Sequence, residues 1–132
     1  MTTMADYIVL RDQPFVLEPG QSRELACDLP GDLAEVPLII AYKAQALSIP
    51  PLGPGTRLTI TPRHATGTIE SVELNDGSVH GLWETFSANK ASTLLKNIFV
   101  FTSETGRVRI SDVILWFQRS GPTPVRTNGA RS

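Results

Sequence analysis

The stretch from Asn97 to Gln118 constrains the fold of this chain most. It reads N-I-F-V-F-T-S-E-T-G-R-V-R-I-S-D-V-I-L-W-F-Q, two runs rich in β-branched and aromatic residues around the turn Ser103-Glu104-Thr105-Gly106. Such side chains pack well on a pleated surface and lose rotamer freedom in a helix, so both runs read as strands. With Gly106 free to take positive φ, the pair is expected to form an apolar hairpin that the rest of the chain must cover. Ile98-Phe99-Val100-Phe101 is apolar at four successive positions, which suits a strand buried on both faces. In the second run, regular alternation would put Asp112 on the same face as Val108, Ile110, Ile114 and Trp116. A carboxylate among core side chains is costly unless it is hydrogen-bonded. A β-bulge at Ser111-Asp112, leaving Asp112 at a rim, or a clamp to neighbouring backbone N–H groups would remove the conflict, and both outweigh a metal or catalytic role.

The remaining chain supplies strands of matching kind. Tyr7–Leu10, Pro14–Leu17, Ser22–Leu29, Val36–Tyr42, Arg57–Thr61, Thr68–Leu74 and Val79–Phe86 read as short strands; Arg57–Thr61 alternates, Thr68–Leu74 does so less cleanly, and Val36–Tyr42 is the most apolar run of the first half. Between them lie Glu18-Pro19-Gly20-Gln21, which fits a type II turn, then Leu29-Pro30-Gly31-Asp32, the stiff loop Ile49–Gly55, and Asn75-Asp76-Gly77. Ten glycines and ten prolines spaced in this way predict an all-β chain, a sandwich or barrel with at most one short helix, of which an antiparallel β-sandwich is the leading expectation. That helix candidate is Ser87–Lys96, with Asn89 as its cap. Residues 1–119 are read as one sandwich domain, and the polar, Pro/Gly-rich residues 120–132 as a flexible tail.

From Arg57 to Gln118 the order of segments resembles the galactose-binding-like β-sandwich, the jelly roll that many carbohydrate-binding modules also use. The resemblance rests on Leu58-Thr59-Ile60, on Leu82-Trp83-Glu84-Thr85-Phe86, and on Leu94 to Phe101 followed by Ile110 to Trp116. Lys96 stands where the family usually has Gly, and Pro62-Arg63 where Asn-Gly is common. The resemblance implies a jelly-roll architecture over about half the chain. It carries no binding signature, and fold alone does not give function.

Charge and motifs narrow the chemistry. A net charge of −1 leaves no electrostatic footprint for nucleic acid. The start lacks a basic and apolar leader pattern, and no apolar run is long enough to span a membrane as a helix, so a cytoplasmic protein is expected. The single cysteine, Cys27, reads as a small buried hydrophobe. No hydrolase elbow, P-loop, dinucleotide fingerprint or zinc motif is present, and no cofactor is expected. His64, His80 and Glu84 would be the residues of a metal site, but His80 and Glu84 stand about 13 Å apart along a strand and cannot share an ion unless the strand breaks at Gly81. Two unrelated histidines are the stronger reading. Arg57, Arg107 and Arg109 read as a solvated strand face rather than a binding stripe.

Alternation in Val79–Phe86 puts His80, Leu82, Glu84 and Phe86 on one face and Gly81, Trp83 and Thr85 on the other. A tryptophan on the more polar face, with Arg63 and His64 near it, is what a sugar-stacking platform needs. Packing in the core is the weightier reading for Trp83, and more so for Trp116, whose neighbours are all apolar. The leading expectation is a non-catalytic module for a small polar ligand, foremost a carbohydrate, contacted by Arg63, His64, His80, Trp83 and Glu84. The alternative is a homo-oligomeric assembly or scaffold subunit, motivated by apolar side chains on both faces from Val113 to Phe117. A small β-barrel enzyme or cyclase using His80 or Glu84 ranks below both.

Overall fold

A computed structural model describes residues 4–29, 38–48, 55–63, 70–86 and 97–119. These form nine strands and no helix: β1 (Met4–Arg11), β2 (Phe15–Leu17), β3 (Ser22–Cys27), β4 (Leu38–Ala46), β5 (Thr56–Pro62), β6 (Glu70–Leu74), β7 (Val79–Phe86), β8 (Asn97–Thr105) and β9 (Val108–Arg119). The helix candidate Ser87–Lys96, the Pro30-Gly31 turn, residues 49–54 of the stiff loop, His64 and the tail 120–132 lie outside the described residues.

Two antiparallel sheets face each other. The first has the order β1-β9-β4-β7, with β2 beside β1 along β9; the second has the order β3-β8-β5-β6. Strands β7, β8 and β9 alternate between the sheets, as β3, β4 and β5 do, which is the double Greek-key path of a jelly roll. The expected hairpin is therefore corrected. β8 and β9 are consecutive but belong to different sheets, and the turn between them crosses the sandwich. A Gly-containing turn says that the chain reverses; it does not say whether the two arms pair or face each other. Gly106 takes φ 76°, and a Cβ there would stand 2.6 Å from Thr56 Oγ1 and 3.0 Å from Thr56 Cα. Buried Ser103 closes this corner by donating its hydroxyl hydrogen to the Gly106 carbonyl at 2.6 Å.

Alternation sets what lies between the sheets. In β4, Leu38, Ile40, Tyr42, Ala44 and Ala46 are buried, while Ile39 and Lys43 point outward and are exposed. Phe99 and Phe101 of β8 fill the centre, with Phe101 edge-on to both Phe15 and Tyr42 and Phe86 tilted against Phe99. Ile98 and Val100 on the other side of β8 are half-buried, so that strand has one dry face. Cys27 is buried, as its neighbours implied. The type II turn forms as read: the Gln21 N–H donates to the Glu18 carbonyl at 2.9 Å, and Gly20 takes φ 81°.

The bulge at Ser111-Asp112 is present, and it rearranges the first sheet. Pairing with β4 passes from Ala41↔Ile114 to Lys43↔Ser111, so Tyr42 faces two residues of β9. Asp112 takes φ 52° and sits exposed at the surface. Beyond it the phase of β9 is reversed: Val113, Leu115 and Phe117 turn inward, and Ile114 and Trp116 turn outward. Trp116 is thus 39% exposed rather than a core residue, because one inserted residue exchanges the two faces of everything after it.

Candidate functional site

The outer face of the first sheet holds the arrangement best suited to a ligand. Registers across β1, β9, β4 and β7 align Val9, Ile114, Ala41 and Trp83 in one row, and Tyr7, Trp116, Ile39 and Thr85 in the next. Trp83 is 69% exposed and the neighbouring position on its face, Gly81, carries no side chain. A Cβ added at Gly81 would meet nothing within 4 Å. The result is a shallow trough of about 480 Å³ with Gly81, Ala41 and Ile114 along it, Trp83 at one side, and Lys43 and Asp112 at its polar end.

The Lys43 ammonium lies 3.3 Å from the Asp112 carboxylate, and both side chains are about half exposed. A pair so exposed contributes little to stability, between about zero and 1 kcal/mol. It does hold a donor and an acceptor side by side where the apolar trough ends. On its far side a second hollow of about 410 Å³ is lined by Asp12, Gln45, Arg109 and Ser111 together with the same Lys43 and Asp112. The bulge sets this boundary. It places Asp112 on the surface, and it lies opposite the gap between β1 and β2, where pairing with β9 passes from Arg11↔Val113 to Phe15↔Ile110.

The residues expected from sequence do not share this face. Trp83 lies on it, against the weightier reading that buried it in the core. Glu84 points to the inner side of β7, where its carboxylate accepts a hydrogen bond from the Tyr42 hydroxyl at 3.0 Å. His80, also on the inner side, places Nε2 2.8 Å from Asp76 Oδ1. That bond, with a second from the Ser78 N–H, holds the Asp76 carboxyl below the usual range. Arg63 directly follows β5 of the second sheet and pairs with Glu24 at 2.5 Å. His64 lies outside the described residues. Among the described residues no group of three or more His, Cys, Asp or Glu side chains is placed to hold a metal ion.

The arginines form no common stripe. Arg57 bonds Ser71 on the second sheet, Arg107 pairs with Glu18, and Arg109 lies beside the polar hollow. Lys43 and Asp112 were not expected in a site. Lys43 was legible as the one cation in β4, on the same side as Ile39 and Ala41, but sequence did not say that β9 lies next to it.

No protein-family model and no curated protein sequence matches the chain. Among solved structures it is similar to a family 16 carbohydrate-binding module, at 9% identity over 81% of this chain and 72% of that one, with a TM-score of 0.45. It is also similar to a chain of infectious bursal disease virus Gx strain, at 13% identity over 94% of this chain and 35% of that one, with a TM-score of 0.48. A third is dimeric latent PorU from Porphyromonas gingivalis, at 14% identity over 85% of this chain and 13% of that one, with a TM-score of 0.45. These are likenesses of fold alone.

Proposed function

We propose that the protein is a non-catalytic carbohydrate-binding module whose site is the trough beside Trp83. The observation that carries this reading is an indole 69% exposed on a sheet face, next to an open glycine and across from a donor–acceptor pair. A pyranose presents an apolar C–H face and a rim of hydroxyls. The indole and the Ala41 and Ile114 surface match the first; the Lys43 ammonium and Asp112 carboxylate match the second by donating to and accepting from sugar hydroxyls. Such sites are mostly apolar with a few placed polar groups, and this trough has that composition. Of the residues expected from sequence, Trp83 stays in the proposed site. Arg63, His80 and Glu84 are left out of it, because each faces away and is engaged with a partner of its own.

The test is intrinsic fluorescence of the wild type and of Trp83→Phe during titration with a panel of neutral and acidic oligosaccharides. The wild type is expected to give a saturable change that the variant, reporting through Trp116 alone, does not. A saturable change of the same size in Trp83→Phe would remove Trp83 from the site, and no response to any sugar would overturn the proposal.

A further inference from the structure

A second observation concerns the part of the same face that adjoins the sugar trough. We infer that the patch formed by Tyr7, Val9, Ile39 and Trp116 is the contact between two copies of this chain, related by a two-fold axis. The Tyr7 and Trp116 rings pack together, with centroids 5.0 Å apart and planes tilted by 42°. Both nevertheless remain at the surface, 52% and 39% exposed, with Val9 and Ile39 beside them at 49% and 37%.

Three features identify the occupant as a second copy. The first is area. These four side chains leave roughly 400 Å² of apolar surface open. One half of a standard protein interface is about 800 Å², of which about 56–65% is apolar, so the patch comes close to the apolar core that such a half needs.

The second is charge. On the side of the bulge that holds the N-terminal halves of β1 and β4 and the C-terminal half of β9, the outward positions of these strands are Ala5, Tyr7 and Val9 of β1, Ile114, Trp116 and Gln118 of β9, and Ile39 and Ala41 of β4, with Ile114 and Ala41 shared with the trough. None is charged. A two-fold axis brings a surface against itself, so a charged patch would oppose like charges, whereas this one opposes none. The charged side chains of the face, Lys43, Arg109 and Asp112, all lie across the bulge.

The third is one-sidedness. The outer face of the second sheet is occupied by the Arg63–Glu24 ion pair, the Ser22–Thr102 hydroxyl pair and the Arg57–Ser71 bond, which suit contact with water. Apolar exposure is thus concentrated on one face, as an interface requires and a solvated sandwich does not.

Sedimentation equilibrium of the full chain, from low to several hundred micromolar, tests this. A reversible monomer–dimer equilibrium is expected. Tyr7→Lys, on an edge strand and half exposed, should weaken it at least ~10-fold by setting two ammonium groups across the axis. Trp83→Ala should leave the dimer unchanged, and Tyr7→Lys should leave sugar binding unchanged, so the two proposals can fail separately. Far-UV circular dichroism checks that Tyr7→Lys keeps its sheets. A chain that stays monomeric at the highest concentration overturns the inference. So does a dimer that Tyr7→Lys does not weaken, since the contact would then use another face. A sugar-induced change in Trp116 fluorescence of a monomeric Trp83→Phe protein would give the patch to the ligand instead, and equally overturn it.

Discussion

Replacing Asp112 separates the two things this residue does. Its backbone sits at φ 52°, which an ordinary L-residue occupies at a cost of roughly 1–2 kcal/mol and Asp at somewhat less. Its carboxylate pairs with Lys43 at 3.3 Å with half of each side chain in water. Asp112→Gly relieves the first, by up to about 1 kcal/mol. It loses an ion pair worth at most about 1 kcal/mol, and it adds about 0.5–1 kcal/mol of unfolded-chain entropy. The terms nearly cancel, so the unfolding free energy from urea titration is expected to stay within about 1 kcal/mol of the wild type. Sugar affinity has no such compensation. Removing a charged acceptor from a bound hydroxyl costs about 1.5–3 kcal/mol, a roughly 10- to 100-fold rise in Kd measured by calorimetric titration. Asp112→Val puts a β-branched side chain at positive φ and should destabilise by about 2 kcal/mol or more. Wild-type affinity in Asp112→Gly would refute the contact to sugar. Wild-type stability in Asp112→Val would refute the left-handed bulge itself.

Two further tests bear on the scaffold. Gly106→Ala meets both a positive φ and a Cβ 2.6 Å from Thr56 Oγ1, whereas Gly20→Ala meets only the φ. Urea denaturation should show a loss of about 1 kcal/mol for Gly20→Ala and about 3 kcal/mol for Gly106→Ala, and equal losses would show that crowding at the corner adds nothing. Burial, helped by the charge of Asp28, pushes the Cys27 thiol from 9.0 up to about 11. At pH 8 its alkylation should therefore run about 100-fold slower in the native protein than in urea, before any effect of access, and comparable rates would contradict the burial. The sign for stability follows: between about pH 9 and 11 the native thiol keeps a proton that the unfolded one releases, so Cys27 lowers stability as pH rises through that window.

How far the sequence could be read depended on whether a signal was local. Period-two alternation is written into adjacent residues, so Val79–Phe86 was bounded to the residue, whereas β4, apolar at every position from Leu38 to Tyr42, read as a strand without showing which side faces in. Asp112 betrayed the bulge because a carboxylate in an apolar run has few places to go. Once the bulge is admitted, Trp116 must change faces; the core reading for it rests on its all-apolar neighbours, which carry no trace of that exchange. The site depended on neighbours no local pattern names. Trp83, Lys43 and Asp112 lie on three strands far apart in sequence, brought side by side by the order β9-β4-β7. His80 and Glu84 are near Trp83 in sequence, and alternation turns them to the opposite side of the same strand.

The place of β9 has a consequence for how the chain becomes a protein at all. It lies between β4 on one side and β1 with β2 on the other, and it is synthesised after all of them. Until it arrives, the first sheet is three separate pieces, β1, β2 and the β4–β7 pair, and the edges that β9 will cover stay open. The Met4–Arg11 segment must then wait for a partner a hundred residues downstream. Closing so long a loop is an entropic cost met before any contact rewards it, which places folding in the slow, millisecond-to-second regime of non-local β proteins. During synthesis those waiting edges are open to other chains, and a ribosome-stalled product ending before Val108 should be held by chaperones rather than folded.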